Sequence, residues 1–76
     1  MSRKLPVVTA KEVIRVVERM GFVFDRQKGS HAVYYRHRDK RRVIIPVHVG
    51  KEIKPRTLSG IIKDMGLTVE EFRKLL

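Results

Sequence analysis

Ala10, Val13, Val16, Val17 and Met20 recur at helical spacing and form one apolar stripe, with Lys11, Arg15, Glu18 and Arg19 mostly off it. Thr9 and Glu12 stand at the two ends of a capping box, in which each side chain serves the other's backbone amide. Gly21 suits a left-handed stop. The spacing predicts a helix over about 10–20, although its β-branched residues lower the intrinsic propensity. Phe22-Val23-Phe24 starts a strand, and Gly29-Ser30 suits a two-residue hairpin turn with glycine at positive φ. A second strand runs from His31 to about His37. Asp39-Lys40-Arg41 reads as another turn, and Arg42-Val43-Ile44-Ile45 as a third strand ending near Pro46. Strands joined by short turns are antiparallel neighbours. From Val47 to Arg56 the pattern lapses, and Gly50 and Pro55 punctuate a loop. Leu58, Ile61, Ile62 and Met65 give a second helical stripe that stops at Gly66. Thr68 and Glu71 form a second capping box, which opens a short helix with Phe72, Leu75 and Leu76 on its apolar face.

The order α-β-β-β-α-α predicts a small α+β domain, one unit over residues 1–76. Gathering the helices on one face of a three-stranded antiparallel sheet buries every apolar stripe. The other face is left for solvent or a partner. Tyr34 and Tyr35 must point to opposite faces. One belongs to the core, and the other is placed to stack on a base or pack against a partner. Ala32 to Tyr35 are all compatible with burial, so the pattern does not say which.

Charge changes this picture most. The chain carries 18 Lys plus Arg against 8 acids, a formal net charge of +10. Ten of the cations lie between Arg26 and Arg56, opposed only by Asp39 and Glu52, so this stretch holds +8 of the excess. So localised a basic field points to a polyanion, most often nucleic acid. The chain has no cysteine, which removes disulfides, thiolate metal sites and a cysteine nucleophile. The opening MSRKLPVV is too short and too broken by Pro6 for a targeting peptide, and no apolar run would span a bilayer. A soluble cytoplasmic protein is expected.

Candidate chemistry is sparse. His31, His37 and His48 do not pair at ligand spacing, and acids near them are few, so no metal or cofactor is expected. Gly29 and Gly50 are isolated and make no phosphate loop. Ser30 has no evident acid partner for a triad. A lone histidine among cations suffices for one reaction class. RNA cleavage uses the substrate's own 2′-hydroxyl, and the protein supplies a proton carrier and positive charge for the phosphate. His31 fits the carrier, with Lys28 beside the turn as one such cation. A half-exposed strand histidine with no task fits the same residues. The run Arg36, Arg38, Lys40, Arg41 and Arg42, with Lys51, is placed to grip phosphates. His37 sits within that run. His48 serves as a loop anchor or a second proton carrier.

The stretch RQKGSHAVYYRH, then PVHVGKE at 46–52, then TLSGIIKDMGL at 57–67, resembles the HicA family of bacterial toxins from about Val13 onward. Arg56 departs from the glycine common before the T-L pair. The resemblance implies a fold similar to double-stranded-RNA-binding domains. It implies a ribonuclease that cuts messenger RNA, taken as single strands, without a metal, and so arrests translation. It also implies a partner antitoxin, HicB, that covers the active site. By the same resemblance the catalytic histidine is His31, with Gly29 and Ser30 completing its motif. The competing readings are a non-catalytic RNA-binding module on the same 26–56 surface and a protein that only meets an acidic partner.

Overall fold

A computed structural model describes residues 4–76; the first three residues of the expected non-targeting segment lie outside the described residues. The observed order is α1 (Ala10–Arg19), β1 (Val23–Lys28), β2 (His31–Arg36), β3 (Arg41–Pro46), α2 (Pro55–Asp64) and α3 (Val69–Leu75). The expected α-β-β-β-α-α arrangement is therefore present. Both capping boxes form. The Thr9 amide donates to Glu12 Oε1 at 2.9 Å, and the Thr68 amide to Glu71 Oε1 at 2.8 Å.

Two boundaries differ. Arg41, expected in the turn, opens β3 opposite Arg36, and the loop after β3 ends sooner than expected. Pro55 does not punctuate a loop; it opens α2. Its fixed φ suits the first helical turn, where the missing N–H is no loss. The apolar stripe begins only at Leu58, so the polar first turn carries no periodic signal.

The sheet order is β1-β2-β3, antiparallel throughout. All three helices pack on one face. Val13, Val16 and Val17 from α1, Leu58, Ile61 and Ile62 from α2, and Phe72 from α3 join Ala32, Tyr34, Val43 and Ile45 in one buried cluster. Tyr34 is thus the core tyrosine, where burial, with help from Glu18, raises the pKa of its hydroxyl. Tyr35 lies half-buried on the opposite, open face.

β1 and β2 do not pair evenly. Phe24 opposes Tyr34 and Arg26 opposes Val33, so Asp25 has no cross-strand partner. Side chains alternate faces along a strand. Counting from Phe24, which meets the core residue Tyr34 edge to face at 5.7 Å, Arg26 and Lys28 would point into the packed side. The extra residue reverses that parity. It sets Arg26 opposite Val33 and Lys28 opposite His31, on the open face.

Candidate active site

The open face is a lattice of cross-strand rows. Lys28, His31 and Pro46 form one row, Arg26, Val33 and Ile44 the next, and Val23, Tyr35 and Arg42 the last. Most of the first two rows, with Gly29 and Arg42, line a shallow groove. His31 stands exposed in it, at the first position of the central strand. Its position is fixed from both sides. Gly29 adopts φ 59°, which closes the hairpin, and its carbonyl accepts from Gln27 Nε2 at 3.0 Å. The Val47 amide donates to the Ser30 carbonyl at 2.6 Å, tying the end of β3 to the same turn.

The basic run divides between the two faces. Arg36, expected among the phosphate contacts, lies instead on the packed side, and its side chain is only 7% exposed. Strand parity puts it with Ala32 and Tyr34 rather than with His31. Its guanidinium is fully engaged. Nε and an Nη donate to the Asp39 carboxylate at 2.9 and 2.7 Å, the other Nη donates to the Met20 carbonyl at 2.7 Å, and the group lies 4.4 Å over the Phe22 ring. This bidentate contact holds the Asp39 carboxyl well below the usual range, at about 2, with Arg41 adding to the effect. Asp39 in turn raises the pKa of Arg36. Arg41 also departs from the expected role. It donates to Asp39 at 3.1 Å and to the Asp64 carbonyl at 3.2 Å, bracing the turn against the end of α2.

Arg38 and Lys40 are exposed at the β2–β3 turn and make no ion pair among the described residues. Lys40 adopts φ 57° there. His37 lies in this turn, just past the end of β2, and its ring meets Tyr35 edge to face at 4.8 Å. His48 and Lys51 do not enter the His31 groove. They line a separate cleft with Pro46, Glu52, Ile53, Lys54 and Thr57. The His48 carbonyl accepts from the Lys51 amide at 3.0 Å, so this segment is a closed turn. Among the described residues no three His, Asp or Glu side chains gather closely enough to hold a metal ion. No described helix is long and apolar enough to cross a membrane.

Two contributors escape a reading of the sequence. Arg26 counts toward the basic field but not toward the site, and Tyr35 has no assigned face. The register shift at Asp25 decides the first, and a shift of this kind leaves no mark in a lone strand. The burial of Tyr34 decides the second.

A family model described as the HicA toxin of bacterial toxin–antitoxin systems matches residues 10–67. The chain belongs to the HicA toxin family. It is the toxin of a toxin–antitoxin system, and the family implies an antitoxin partner. The match spans α1, the whole sheet and α2, so it includes the groove, the second cleft and the turn between β2 and β3. No curated protein gives a significant match to the sequence.

Proposed function

We propose that this HicA toxin is an endoribonuclease that cuts messenger RNA without a metal, with His31 as its proton carrier. The carrying observation is the pairing of Lys28 directly opposite an exposed His31, with Arg26 and Arg42 lining the same groove. In this reaction the neutral imidazole accepts the proton of the substrate's 2′-hydroxyl. Phosphorus gains the bond to O2′ and loses the bond to O5′, which takes a proton from the imidazolium or from water and leaves as a hydroxyl. Lys28 and Arg26 stabilise the charge that builds on the phosphate oxygens, which is where preorganised cations act most strongly. Gly29 and Ser30 position the histidine through the hairpin. Arg38, Lys40 and Arg42, with His48 and Lys51 on the neighbouring cleft, extend the backbone grip along a single strand.

A HicB-like antitoxin inhibits by covering the groove. An acidic or neutral surface laid over Lys28 and Arg26 would be drawn in by charge and would shut His31 from RNA. A complex that left His31 open would refute occlusion.

The test is to incubate the pure protein with single-stranded RNA in EDTA, beside His31→Ala. Cleavage by the parent and a rate lower by orders of magnitude for the variant is the expected result. Salt-sensitive binding without products would instead establish the RNA-binding module. A variant that cuts at the parent rate would remove His31 from the mechanism.

A further inference from the structure

The open face carries a second concavity, at the far end of the central strand from His31. Val23, Phe24, Asp25, Tyr35, His37 and Arg42 line it. Tyr35 is its floor, half-buried between Val23 on one neighbouring strand and Arg42 on the other. The His37 ring stands at 85° to it. A ring set perpendicular covers less of Tyr35 than a stacked one would. Arg42 lines both this concavity and the His31 groove, so one cation joins the two.

We propose that Tyr35 is a stacking platform for one unpaired base of the RNA substrate, with His37 as its side wall and Arg42 on the backbone between that base and the cut. The inference rests on the ribonuclease reading and adds a base-binding subsite to it. The chemistry is that of single-strand recognition. Every base offers a π-face to an aromatic ring, and a cation beside the ring holds the phosphate. A base paired within a duplex keeps its face inside the stack and has none to offer. Four residues separate His31 from Tyr35 along β2, about 13 Å at 3.3 Å per residue. A stacked strand covers that distance in about four steps of 3.4 Å, and an extended one in fewer. The subsite thus selects single strands and sets the reading position a few nucleotides from the cleaved bond.

The experiment measures binding of fluorescent single-stranded and duplex RNA to the His31→Ala protein, so that cleavage does not intervene. Into it are placed Tyr35→Phe, Tyr35→Leu and Arg42→Ala. Tyr35→Phe keeps the ring and should keep the affinity. Tyr35→Leu keeps apolar bulk and folding but has no ring, and should weaken single-strand binding by roughly 5- to 150-fold at an unchanged salt slope. Duplex binding should not respond to it. Arg42→Ala should lower the salt slope by about 0.7, one phosphate on a single strand. Equal affinity of Tyr35→Leu and its parent overturns the subsite and leaves the ribonuclease reading intact. Failure of the parent to bind any RNA at low salt overturns both.

Discussion

The two hairpin turns of the sheet are both rich in cations, yet they do opposite things with them. At the β1–β2 turn, Lys28 and Arg26 face an exposed histidine across the open side of the sheet. At the β2–β3 turn, Arg36 and Arg41 close on Asp39 and on the carbonyls of Met20 and Asp64, fastening the sheet to the ends of α1 and α2. A basic run in a sequence therefore has no single meaning. Whether an arginine grips a ligand or holds the fold depends on strand parity and on the one acid within reach.

The largest effects should separate the turns. His31→Ala should reduce RNA cleavage by about 10²–10⁴-fold, the usual worth of a positioned acid or base, with an unchanged thermal midpoint. Arg36→Ala should do the reverse. It strips a buried side chain of its charged hydrogen bonds and its place over Phe22, at a cost of about 2 kcal/mol. Thermal unfolding should then show Tm lower by roughly 8–16 °C, while cleavage per folded molecule stays at the parent level. If Arg36→Ala instead lowered the salt dependence of RNA binding with no change in Tm, the contrast between the turns would collapse.

Removing the groove cations should come next. Arg26→Ala combined with Lys28→Ala takes two charges from the open face and leaves the packed side untouched. Plots of log affinity for single-stranded RNA against log salt should flatten by about 1.4, two single-strand phosphates. Arg41→Ala, on the other turn, should leave that slope near the parent's. Equal slopes for the double variant and its parent would show that these two cations do not meet the RNA backbone.

Acid should weaken the second turn through Asp39. Asp39 titrates near 3.8 when unfolded and at about 2 when folded, so its folded pKa is depressed. Its contribution to stability is complete above the unfolded value and is lost as pH falls from about 4 through 2. Denaturant midpoints measured down that range should fall for the parent and fall less for Asp39→Asn, which has no carboxyl there to protonate.

The smallest effect concerns backbone conformation. Both turns need a left-handed residue, supplied by Gly29 at φ 59° in one and by Lys40 at φ 57° in the other. Gly29→Ala should destabilise by about 1 kcal/mol, since the space around it is open but the φ is not. Lys40→Gly relieves the side-chain strain but adds freedom to the unfolded chain, so Tm should move by no more than a few degrees.

Much of this is legible in the residues. The capping boxes at Thr9 and Thr68 mark two helix starts, because both partners of each box lie within one turn of chain. The glycine and serine before His31 announce the hairpin. Pro55 is ambiguous, because a proline both punctuates loops and opens helices, and the polar turn behind it carries no stripe. The faces of Arg36 and Arg42 cannot be told apart, because four consecutive residues of β2 all tolerate burial. The parity of Arg26 and Lys28 is hidden for a deeper reason. A register shift is a property of two strands, and neither strand alone contains it.

β1 is an edge of the sheet, and a long flat edge is a template on which another chain can add a strand. The unpaired Asp25 interrupts that edge, and a shift of this kind bends and twists the strand that bears it. Charged Asp25, Arg26 and Lys28 then stand along the same short stretch. Two copies of the toxin meeting through β1 would have to unkink it and bring like charges together before a ladder could form. The residue that turns two cations toward His31 thereby also makes this edge a poor template for a further strand.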